Sequence, residues 1–451
     1  MNKLMRPGRP LAVLVGLVLL GALGGALSSP PAARSQAADV LLNVLATGAK
    51  KLNIVIPHFT VVGGPDPGGL GRSLSQVTAK DLTFSGLFSV VSDIPPIAAG
   101  DPAALRASFA NFASAGAHAG LHGLLTLRGD RAQIEMRLYD LTAPEFRLIG
   151  SKKIELPAAQ ARRLAHKVAD EVVLQFTGEA GVADTKIAFA YAASGGNSKE
   201  LSMMDYDGAG STRVTSNNSI NLTPVWSPDT RSLAFTSYMR GYPYLYRMFP
   251  FEKRPVQVLA GFLGINTSPA FSPDGRSVAL TLSRDGNPEV YVLNLGTGAF
   301  RRLTTYRGID TEPTWSPTGR EIAFVSERAG GAHIFLMDAE GANVRRLTRA
   351  GFNTQPRWSP KGDAIVFTSR QGNFDLWAVS PDGSNLRRLT AGPGNNEGAS
   401  WAPNGRHLVF QSNRLAGGYQ LFTMLADGAE QQALTRPPGQ STGAAWSPRL
   451  P

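Results

Sequence analysis

The stretch from Pro313 to Thr348 decides the fold. It reads Pro313-Thr-Trp315-Ser-Pro-Thr-Gly319, then Ile322–Ser326, then His333–Asp338, and it closes on Arg345-Arg-Leu-Thr348. An aromatic residue followed by Ser-Pro or Ala-Pro recurs every 43 to 45 residues, at Trp226, Phe271, Trp315, Trp358, Trp401 and Trp446. Six copies at this spacing predict a six-bladed β-propeller with four strands in each blade.

Each copy of the repeat contains a tight turn and an aromatic wedge. Proline presets φ at the first turn position and glycine accepts the positive φ that ends the reversal, so Ser-Pro-Asp-Gly predicts a turn between two antiparallel strands. The aromatic residue lies on the strand that enters this turn, where it can pack between neighbouring blades. Paired arginines recur on the last strand, at 301/302, 345/346 and 387/388. We interpret them as charges on a solvated blade edge rather than as a basic binding strip.

The two ends of the repeat array predict how the ring closes. The array begins at Lys186–Phe189 without a preceding aromatic strand, and the chain finishes on Ala444–Pro448 without the strands that should follow. These fragments complete one blade if the last strand pairs with the first blade, which leaves no exposed sheet edge. We therefore predict an all-β propeller over residues 186–451 whose ring is closed by its C-terminal strand.

Residues 38–178 lack the repeat and predict a separate N-terminal α/β domain. Strand-like apolar segments cover Val40–Leu45, Leu52–Val62, Leu87–Val91, Leu121–Leu127, Ala132–Leu141 and Phe146–Leu156. Helical periodicity is present from Leu70 to Asp81 and from Ala158 to Phe176, where Gly178 is the predicted stop. Asp101-Pro102 predicts the N-cap and first turn of a third helix that extends to about Ala117. Residues 179–185 are the predicted linker to the propeller.

The N-terminus has the order of a secretion signal. Lys3, Arg6 and Arg9 precede an apolar run from Leu11 to Leu27, and Ser35-Gln36-Ala37 is a small-residue cleavage site. This order predicts a signal peptide at residues 1–37 that is removed on export, with an uncleaved anchor helix as the alternative. We therefore expect an exported protein that has no membrane span after cleavage.

Composition limits the chemistry that the chain can perform. The sequence has no cysteine, which excludes disulfides, thiolate metal sites and a cysteine nucleophile. Removal of the signal lowers the net charge from +11 to about +7, and the propeller carries this excess. We interpret the excess as solubility with a mild preference for acidic partner surfaces or anionic headgroups, and we expect no nucleic-acid partner.

Three motifs suggest enzymatic or metal chemistry, and each is incomplete. Gly439–Gly443 matches the Gly-x-Ser-x-Gly nucleophile elbow, but the eight residues that follow contain neither the acid nor the histidine that the motif needs. We interpret it as a flexible loop before the last strand. His118 and His122 lie four residues apart near the end of a helix without the glutamate of a metalloprotease, and Asp205–Gly208 predicts a turn rather than a calcium loop. The sequence therefore predicts no catalytic residue, no metal site and no cofactor.

From Ala38 onward the whole chain resembles the TolB family of periplasmic Tol-Pal proteins. The resemblance rests on Ala38-Asp-Val40, Ile54-Val-Ile-Pro57, Lys186-Ile-Ala-Phe189, Asp205-Tyr-Asp-Gly208, Ser268–Gly275, Thr311–Trp315 and the ending Trp446-Ser-Pro448. Propeller repeats alone are shared with peptidase gating domains and other periplasmic propellers. The combination of export signal, α/β domain, six blades and this ending is more specific.

The resemblance implies a non-enzymatic scaffold with two protein partners. It would bind the peptidoglycan-associated lipoprotein Pal through the propeller and the inner-membrane protein TolA through the mature N-terminus, and it would be a monomer outside these complexes. Such a protein supports outer-membrane integrity and constriction at cell division. The alternative is the propeller of a peptidase-type or small-molecule-processing periplasmic enzyme. A peptidase needs a hydrolase domain for which no chain remains, and the innermost strands lack the carboxylates or histidines of a channel enzyme.

The resemblance also implies candidate contact residues. In a four-stranded blade, the loops that enter each innermost strand share one rim of the channel with the loops between the second and third strands. The Pal-binding candidates on this rim are Ile265, Asn266, Thr267, Ser268, Thr311 and Glu312, together with Asn395, Asn396 and Glu397. At Ile265 the chain departs from the family pattern, since a relative has histidine there. Ordinary solvated loops are the alternative interpretation.

The mature N-terminus is the candidate TolA-binding segment. Its residues are Asp39, Val40, Leu41, Leu42, Asn43, Val44, Leu45, Ala46 and Thr47. A terminus with so many apolar residues either completes the domain's own sheet as an edge strand or adds itself to a partner's sheet. The resemblance favours a segment that is released for TolA and held back when Pal is bound.

Overall fold

The computed structural model describes residues 37, 39, 40, 51–143 and 145–451, apart from the side chain of Pro67. The α/β domain contains β1 Leu52–Pro57, β2 Thr60–Val62, α1 Leu70–Phe84, β3 Phe88–Ile94, α2 Pro102–Ser114, β4 Ala119–Arg128, β5 Arg131–Asp140, β6 Arg147–Pro157 and α3 Ala161–Thr177. Its sheet has the order β3-β1-β4-β5-β6, with β2 beside β4. Strand β1 runs parallel to both of its neighbours, and β4, β5 and β6 form an antiparallel meander.

Alternation along the strands places the helices on both faces of this sheet. Ile54 and Ile56 of β1 belong to the core formed with α1 and α3, whereas Val55 packs with Phe109 of α2 on the opposite face. Gly123 of β4 lies under the ring of Phe59, where a Cβ atom would approach the ring carbon Cδ1 to 2.3 Å. Buried apolar residues on both faces of the sheet therefore fix the α/β domain as a three-layer arrangement.

The remaining strands form six four-stranded antiparallel sheets, numbered here as blades in chain order. Blade 1 begins with β7 Lys186–Ala192, β8 Glu200–Asp205 and β9 Thr212–Arg213. Blade 2 has β10 Asn221–Trp226, β11 Leu233–Ser237, β12 Tyr244–Met248 and β13 Gln257–Ala260; blade 3 has β14 Asn266–Phe271, β15 Ser277–Leu282, β16 Glu289–Asn294 and β17 Phe300–Arg302. Blade 4 has β18 Asp310–Trp315, β19 Glu321–Ser326, β20 His333–Asp338 and β21 Arg345–Arg346; blade 5 has β22 Phe352–Trp358, β23 Ile365–Gln371, β24 Asn373–Val379 and β25 Arg387–Arg388. Blade 6 has β26 Asn396–Trp401, β27 His407–Ser412, β28 Gln420–Leu425 and β29 Gln432–Ala433, and β30 Gln440–Trp446 follows it.

The C-terminal strand closes the ring as predicted. Strand β30 pairs antiparallel with β7 and becomes the innermost strand of blade 1. Trp446 Nε1 donates to Thr185 Oγ1 at 2.8 Å, and the N–H of Lys186 donates to Ser447 Oγ at 2.9 Å. The interpretation of Gly439–Gly443 as a flexible loop is corrected here, because Ser441 lies within β30, pairs with Tyr191 and is 2% exposed. The strand-turn-helix of a nucleophile elbow is absent at this serine.

The repeated aromatic residues and arginines join neighbouring blades. Trp226 of blade 2 packs with Ala190 and Ala445 of blade 1, and its Nε1 donates to the carbonyl of Ala445 at 3.2 Å. In the first arginine pair Arg301 is exposed and Arg302 is more protected, whereas both members of the other two pairs are exposed. Arg301 donates to the backbone carbonyls of the next blade's hairpin, whereas Arg302 donates to the buried carboxylate of Glu289 at 2.9 Å. The second arginine thus does more than cover a solvated edge.

A buried polar network holds the α/β domain against blade 1. His166 Nδ1 of α3 lies 2.7 Å from Asp81 Oδ2 of α1, and the hydroxyl of Tyr206 donates to Asp81 Oδ1 at 2.6 Å. His166 Nε2 is 3.8 Å from Asp205 Oδ2 at the end of β8. Lys186 also pairs with Asp205. The Asp205–Gly208 segment forms the predicted turn, and it also provides the propeller's half of this interface.

Candidate partner-binding rim

All six innermost strands begin at one rim of the channel and carry a β-bulge at the same position. The pairing register shifts just before each aromatic residue, and one residue in each bulge has a positive φ. These residues are Thr223, Ser268, Glu312, Gln355, Gly398 and Gly443. Their φ values lie between 48° and 62°, a region that residues other than glycine adopt at a cost of about 1–3 kcal/mol. The bulges change the direction of the side chains at the channel opening. The regular sequence repeat did not predict these bulges.

The segment Ile265–Ser268 leads into the innermost strand of blade 3. Ile265 is 39% exposed, whereas Asn266 is fully buried and its side chain bonds both the N–H and the carbonyl of Phe262. The hydroxyl of Thr267 accepts from Thr236 of blade 2 at 3.1 Å. Asn266 and Thr267 therefore shape the rim, and Ile265 faces solvent.

Thr311 and Glu312 occupy the equivalent place in blade 4. Thr311 Oγ1 lies 3.0 Å from Thr281 Oγ1 of blade 3, and Glu312 Oε2 accepts the backbone N–H of Gln355 in blade 5 at 2.6 Å. Burial raises the pKa of Glu312, while the bond from Gln355 and the charge of Arg357 oppose that rise. Both candidates connect neighbouring blades at the channel opening.

The candidates of blade 6 are also partly used inside the protein. Asn395 Oδ1 accepts from the N–H of Phe374 at 3.2 Å, and Glu397 accepts from the hydroxyl of Tyr419. Asn396 is fully buried between Asp375, to which it donates at 2.8 Å, and Arg414, from which it accepts at 2.5 Å. Asn396 thus positions the loop from within, and Asn395 and Glu397 remain partly accessible.

The sequence reasoning missed the apolar character of this rim. The same loops expose large apolar side chains around the opening, namely Ile220, Tyr238, Tyr242, Leu263, Ile309 and Phe352. Leu263 is 78% exposed. The sequence signal for this surface was the presence of apolar residues in turn-rich loops, where polar residues are usual. Exposed apolar surface of this kind is typical of a protein-binding site. Basic residues lie among them in the rim loops, at Lys199, Arg240, Arg307, Arg349, Arg370 and Arg436.

The two histidines lie differently from the prediction. His118 precedes β4 and its Nδ1 accepts the N–H of Asn53 at 3.0 Å, whereas His122 is buried in the middle of β4. They therefore do not share a helix. Among the described residues, no cluster of three or more histidine, aspartate or glutamate side chains has a metal-binding arrangement.

The TolA-binding candidates fall mostly outside the described residues. Asp39 and Val40 are helical, and Val40 is buried in the core of the α/β domain at 3% exposure. Leu41, Leu42, Asn43, Val44, Leu45, Ala46 and Thr47 lie outside the described residues. Within the part of the chain that the structure covers, no helix has both the length and the apolar character to span a membrane.

Fold and rim together define a class of protein: a six-bladed propeller attached to an α/β domain, with an apolar, basic-flanked rim around its channel. The family model for the TolB amino-terminal domain matches residues 40–145, and the model for the TolB beta propeller domain matches residues 173–450. The chain therefore belongs to the TolB family, whose relatives are Tol-Pal system proteins. The prediction from sequence resemblance is confirmed, as is the predicted fold class.

Individual relatives agree with this assignment. The chain is 36% identical over 412 residues to the Tol-Pal system protein TolB of Gluconobacter oxydans, covering 88% of this chain and 86% of that protein. It is 38% identical over 198 residues to the corresponding protein of Geobacter sulfurreducens, an alignment that spans 43% of this chain and 44% of the relative. The crystal structure of TolB from Acinetobacter baumannii superposes with a TM-score of 0.78 at 27% identity, covering 89% of this chain and 97% of the other.

Proposed function

We propose that this chain is a non-enzymatic periplasmic scaffold of the Tol-Pal system. It binds a Pal-type lipoprotein through the propeller rim and a TolA-type protein through residues 39–47, and thereby supports outer-membrane integrity and constriction at division. Family membership supports the system, and the geometry of the rim supports the mode of binding. Ser441 lies in β30 and pairs with Tyr191 of β7, so it does not form a nucleophile elbow. This pairing argues against the hydrolase alternative.

The observation that carries the proposal is the exposed apolar surface at the channel opening. Leu263 and Ile265 of blade 3 and Ile309 of blade 4 flank the candidates Ser268 and Glu312, and all three apolar side chains are exposed. Exposed apolar anchors inside a charged periphery are the usual composition of a protein interface. The basic residues of the loops favour a partner with an acidic surface, which would be steered to the rim.

The proposal is tested by charging the apolar rim. Leu263→Asp combined with Ile309→Asp should lower the affinity for the periplasmic domain of a Pal-type lipoprotein from the same organism by about 30-fold or more, because buried apolar anchors dominate interface energies. Isothermal titration calorimetry on purified proteins measures the change, and thermal melting checks that the variant is folded.

A matched control lies at the other end of the propeller. Leu386, in the loop between β24 and β25, is 57% exposed, and Val344, in the corresponding loop of blade 4, is 38% exposed. Leu386→Asp combined with Val344→Asp adds the same two charges away from the rim. It should leave the affinity unchanged. Equal binding by the rim variant and the wild type, or an equal loss in the control variant, would reject the rim as the Pal-binding surface.

A further inference from the structure

The end of the channel opposite the rim contains a cavity of about 480 Å³. Its walls are the six innermost strands, in four blades from the bulge residue onward, and the Ser-Pro or Ala-Pro turns that follow them. All six repeated aromatic residues line it, as do the turn prolines, for example Pro228, Pro317 and Pro403. The volume lies within the ordinary range of small-molecule sites, and the aromatic and proline lining suits an apolar ligand body.

One cation breaks this apolar lining. Among the described residues around the cavity, Arg357 is the only charged one. The equivalent position in the other blades holds Val225, Ala270, Thr314, Ser400 or Ala445. The other five blades have a small or apolar residue at this position, so closure of the ring does not require a charged residue here. Such departures from a regular pattern are expected at functional positions.

The guanidinium of Arg357 is held in place but incompletely paired. It donates to the carbonyl of Pro356 at 2.9 Å, and the Nε1 of Trp401 fixes the Arg357 backbone by donating to its carbonyl at 3.0 Å. A guanidinium has five N–H donors, and no carboxylate lies within ion-pair distance of Arg357 among the described contacts. Burial lowers the pKa of Arg357, against the opposing charge of Glu312, which is the behaviour of a cation whose charge is only partly balanced.

The mouth of the cavity is basic on one side. Arg276 and Arg320 follow the turns of blades 3 and 4, are exposed, and make no side-chain hydrogen bond or ion pair among the described residues. The acidic Asp274 beside them is tied into its turn by the hydroxyl of Ser272 at 2.6 Å. In the neighbouring blade 5, Lys361 is paired with Glu179 of the linker. An anion would therefore be drawn in across blades 3 and 4.

We propose that this end of the channel binds a small organic anion, whose acidic group pairs with Arg357 and whose apolar, preferably aromatic, body lies against Trp315, Trp358 and Trp401. A planar guanidinium matches the two oxygens of a carboxylate or sulfonate, and charge-assisted bonds are stronger than neutral ones. The site lies at the opposite end of the channel from the rim and does not depend on the function proposed for the rim.

Two fluorescent probes that differ by one anionic group test the proposal. Anilinonaphthalene sulfonate and the uncharged N-phenylnaphthylamine share the same aromatic body. Five of the protein's six tryptophans line the cavity, so a probe bound there should receive energy from tryptophan. The purified wild-type protein should bind the sulfonate about tenfold or more tightly than the uncharged probe.

Variants of the cavity and of a distant site identify the cation responsible. Arg357→Met should lower the affinity for the sulfonate about tenfold and leave the affinity for the uncharged probe within about twofold. Arg357→Lys, which keeps the charge, should retain most of the affinity. Arg213→Met removes one exposed arginine from β9 and should change neither probe's affinity. An unchanged sulfonate affinity in Arg357→Met, or an equal loss in Arg213→Met, overturns the proposal.

A displacement measurement on the wild-type protein keeps the proposal testable if Arg357→Met does not fold. Phenylpropionate should displace the bound sulfonate, whereas phenylpropanol, which has the same ring and chain without the charge, should not do so at the same concentration. Equal displacement by the acid and the alcohol would show that the cavity selects apolar bodies only, and the anion site would be rejected.

Discussion

At the bulges of four innermost strands, the backbone N–H finds its acceptor in the neighbouring blade. Thr281 accepts from Glu312 at 3.1 Å, Thr368 from Gly398 at 3.2 Å and Gln411 from Gly443 at 2.8 Å. These acceptors occupy one equivalent position on the second strand. In blade 4 that position is Val325, which has no acceptor, and the carboxylate of Glu312 accepts the N–H of Gln355 in its place. A single side chain thus compensates for a change in the repeat.

Glu312→Ala should lower the free energy of unfolding by about 1–2 kcal/mol, because it leaves the N–H of Gln355 without its acceptor. Adding Val325→Thr restores a hydroxyl at the equivalent position and should recover most of the loss. Urea denaturation of the two single variants and the double variant measures the coupling. Independent, additive effects would contradict the substitution of one acceptor for another.

The same double variant separates two roles of Glu312 in partner binding. If the double variant regains the affinity for a Pal-type lipoprotein, Glu312 acts by shaping the bulge. If stability returns and affinity does not, the carboxylate itself contacts the partner.

The repeated aromatic residue of strand β30 makes contacts that the equivalent residue of blade 4 lacks. Trp446 is 5% exposed, donates to Thr185 and lies 6.4 Å from the ring of Phe84 in the α/β domain. Trp315 has the same place in blade 4, but it is only half-buried and its Nε1 has no hydrogen-bond partner among the described contacts. The strand that closes the ring therefore also fastens the propeller to the first domain.

Trp446→Ala should cost about 3–5 kcal/mol, since it removes a large buried ring and one buried hydrogen bond at the closure of the propeller. Trp315→Ala is the matched control and should cost clearly less. Thermal melting followed by circular dichroism compares the two variants. Equal losses would mean that the contacts of β30 with the first domain add nothing to stability.

At the scale of the whole molecule, the two domains meet through ionisable groups that are buried together. Burial by itself lowers the pKa of His166, but the carboxylates of Asp205 and Asp81 outweigh it and raise the pKa to about 10. The neighbouring charges hold the pKa of Asp205 well below its usual range, although burial opposes this. Burial raises the pKa of Asp170, which binds the linker N–H groups of Ala183 and Asp184, to about 6. At neutral pH the interface therefore contains a charged His166 beside Asp205, whereas burial raises the pKa of Asp81.

Stability should fall as the pH rises from 7 towards 10. The folded protein keeps a proton on His166 that the unfolded chain releases above its ordinary pKa of 6.5, so the contribution is complete below that pH and is lost at about 1.4 kcal/mol per pH unit above it. His166→Gln should flatten this slope, measured by urea denaturation at several pH values. In the control His118→Gln, burial lowers the pKa of the replaced histidine, so the slope should persist. A slope that persists in His166→Gln would assign it to other groups.

The sequence by itself determined the propeller, its closure and, from Leu52 onward, the order of elements in the α/β domain. A period of 43 to 45 residues with proline-glycine turns leaves few alternatives to four-stranded blades. The strand Ala132–Leu141 was equally clear, since its alternation predicted that Ile134, Met136 and Leu138 would be buried, and all three are fully buried. These are properties of local periodicity, which a chain carries without reference to distant residues.

Only the tertiary structure decided how residues far apart in sequence meet. Glu312 accepts the N–H of Gln355 in blade 5 because Val325, at the acceptor position of its own blade, has no acceptor atom, and no local pattern encodes that contact. Asp81, His166 and Asp205 lie far apart in the sequence, yet the packing of two domains buries them as one network. The rim and the cavity at Arg357 likewise form because six strands converge on one axis. A ring brings together side chains that have the same position in the repeat, although they are far apart in the sequence.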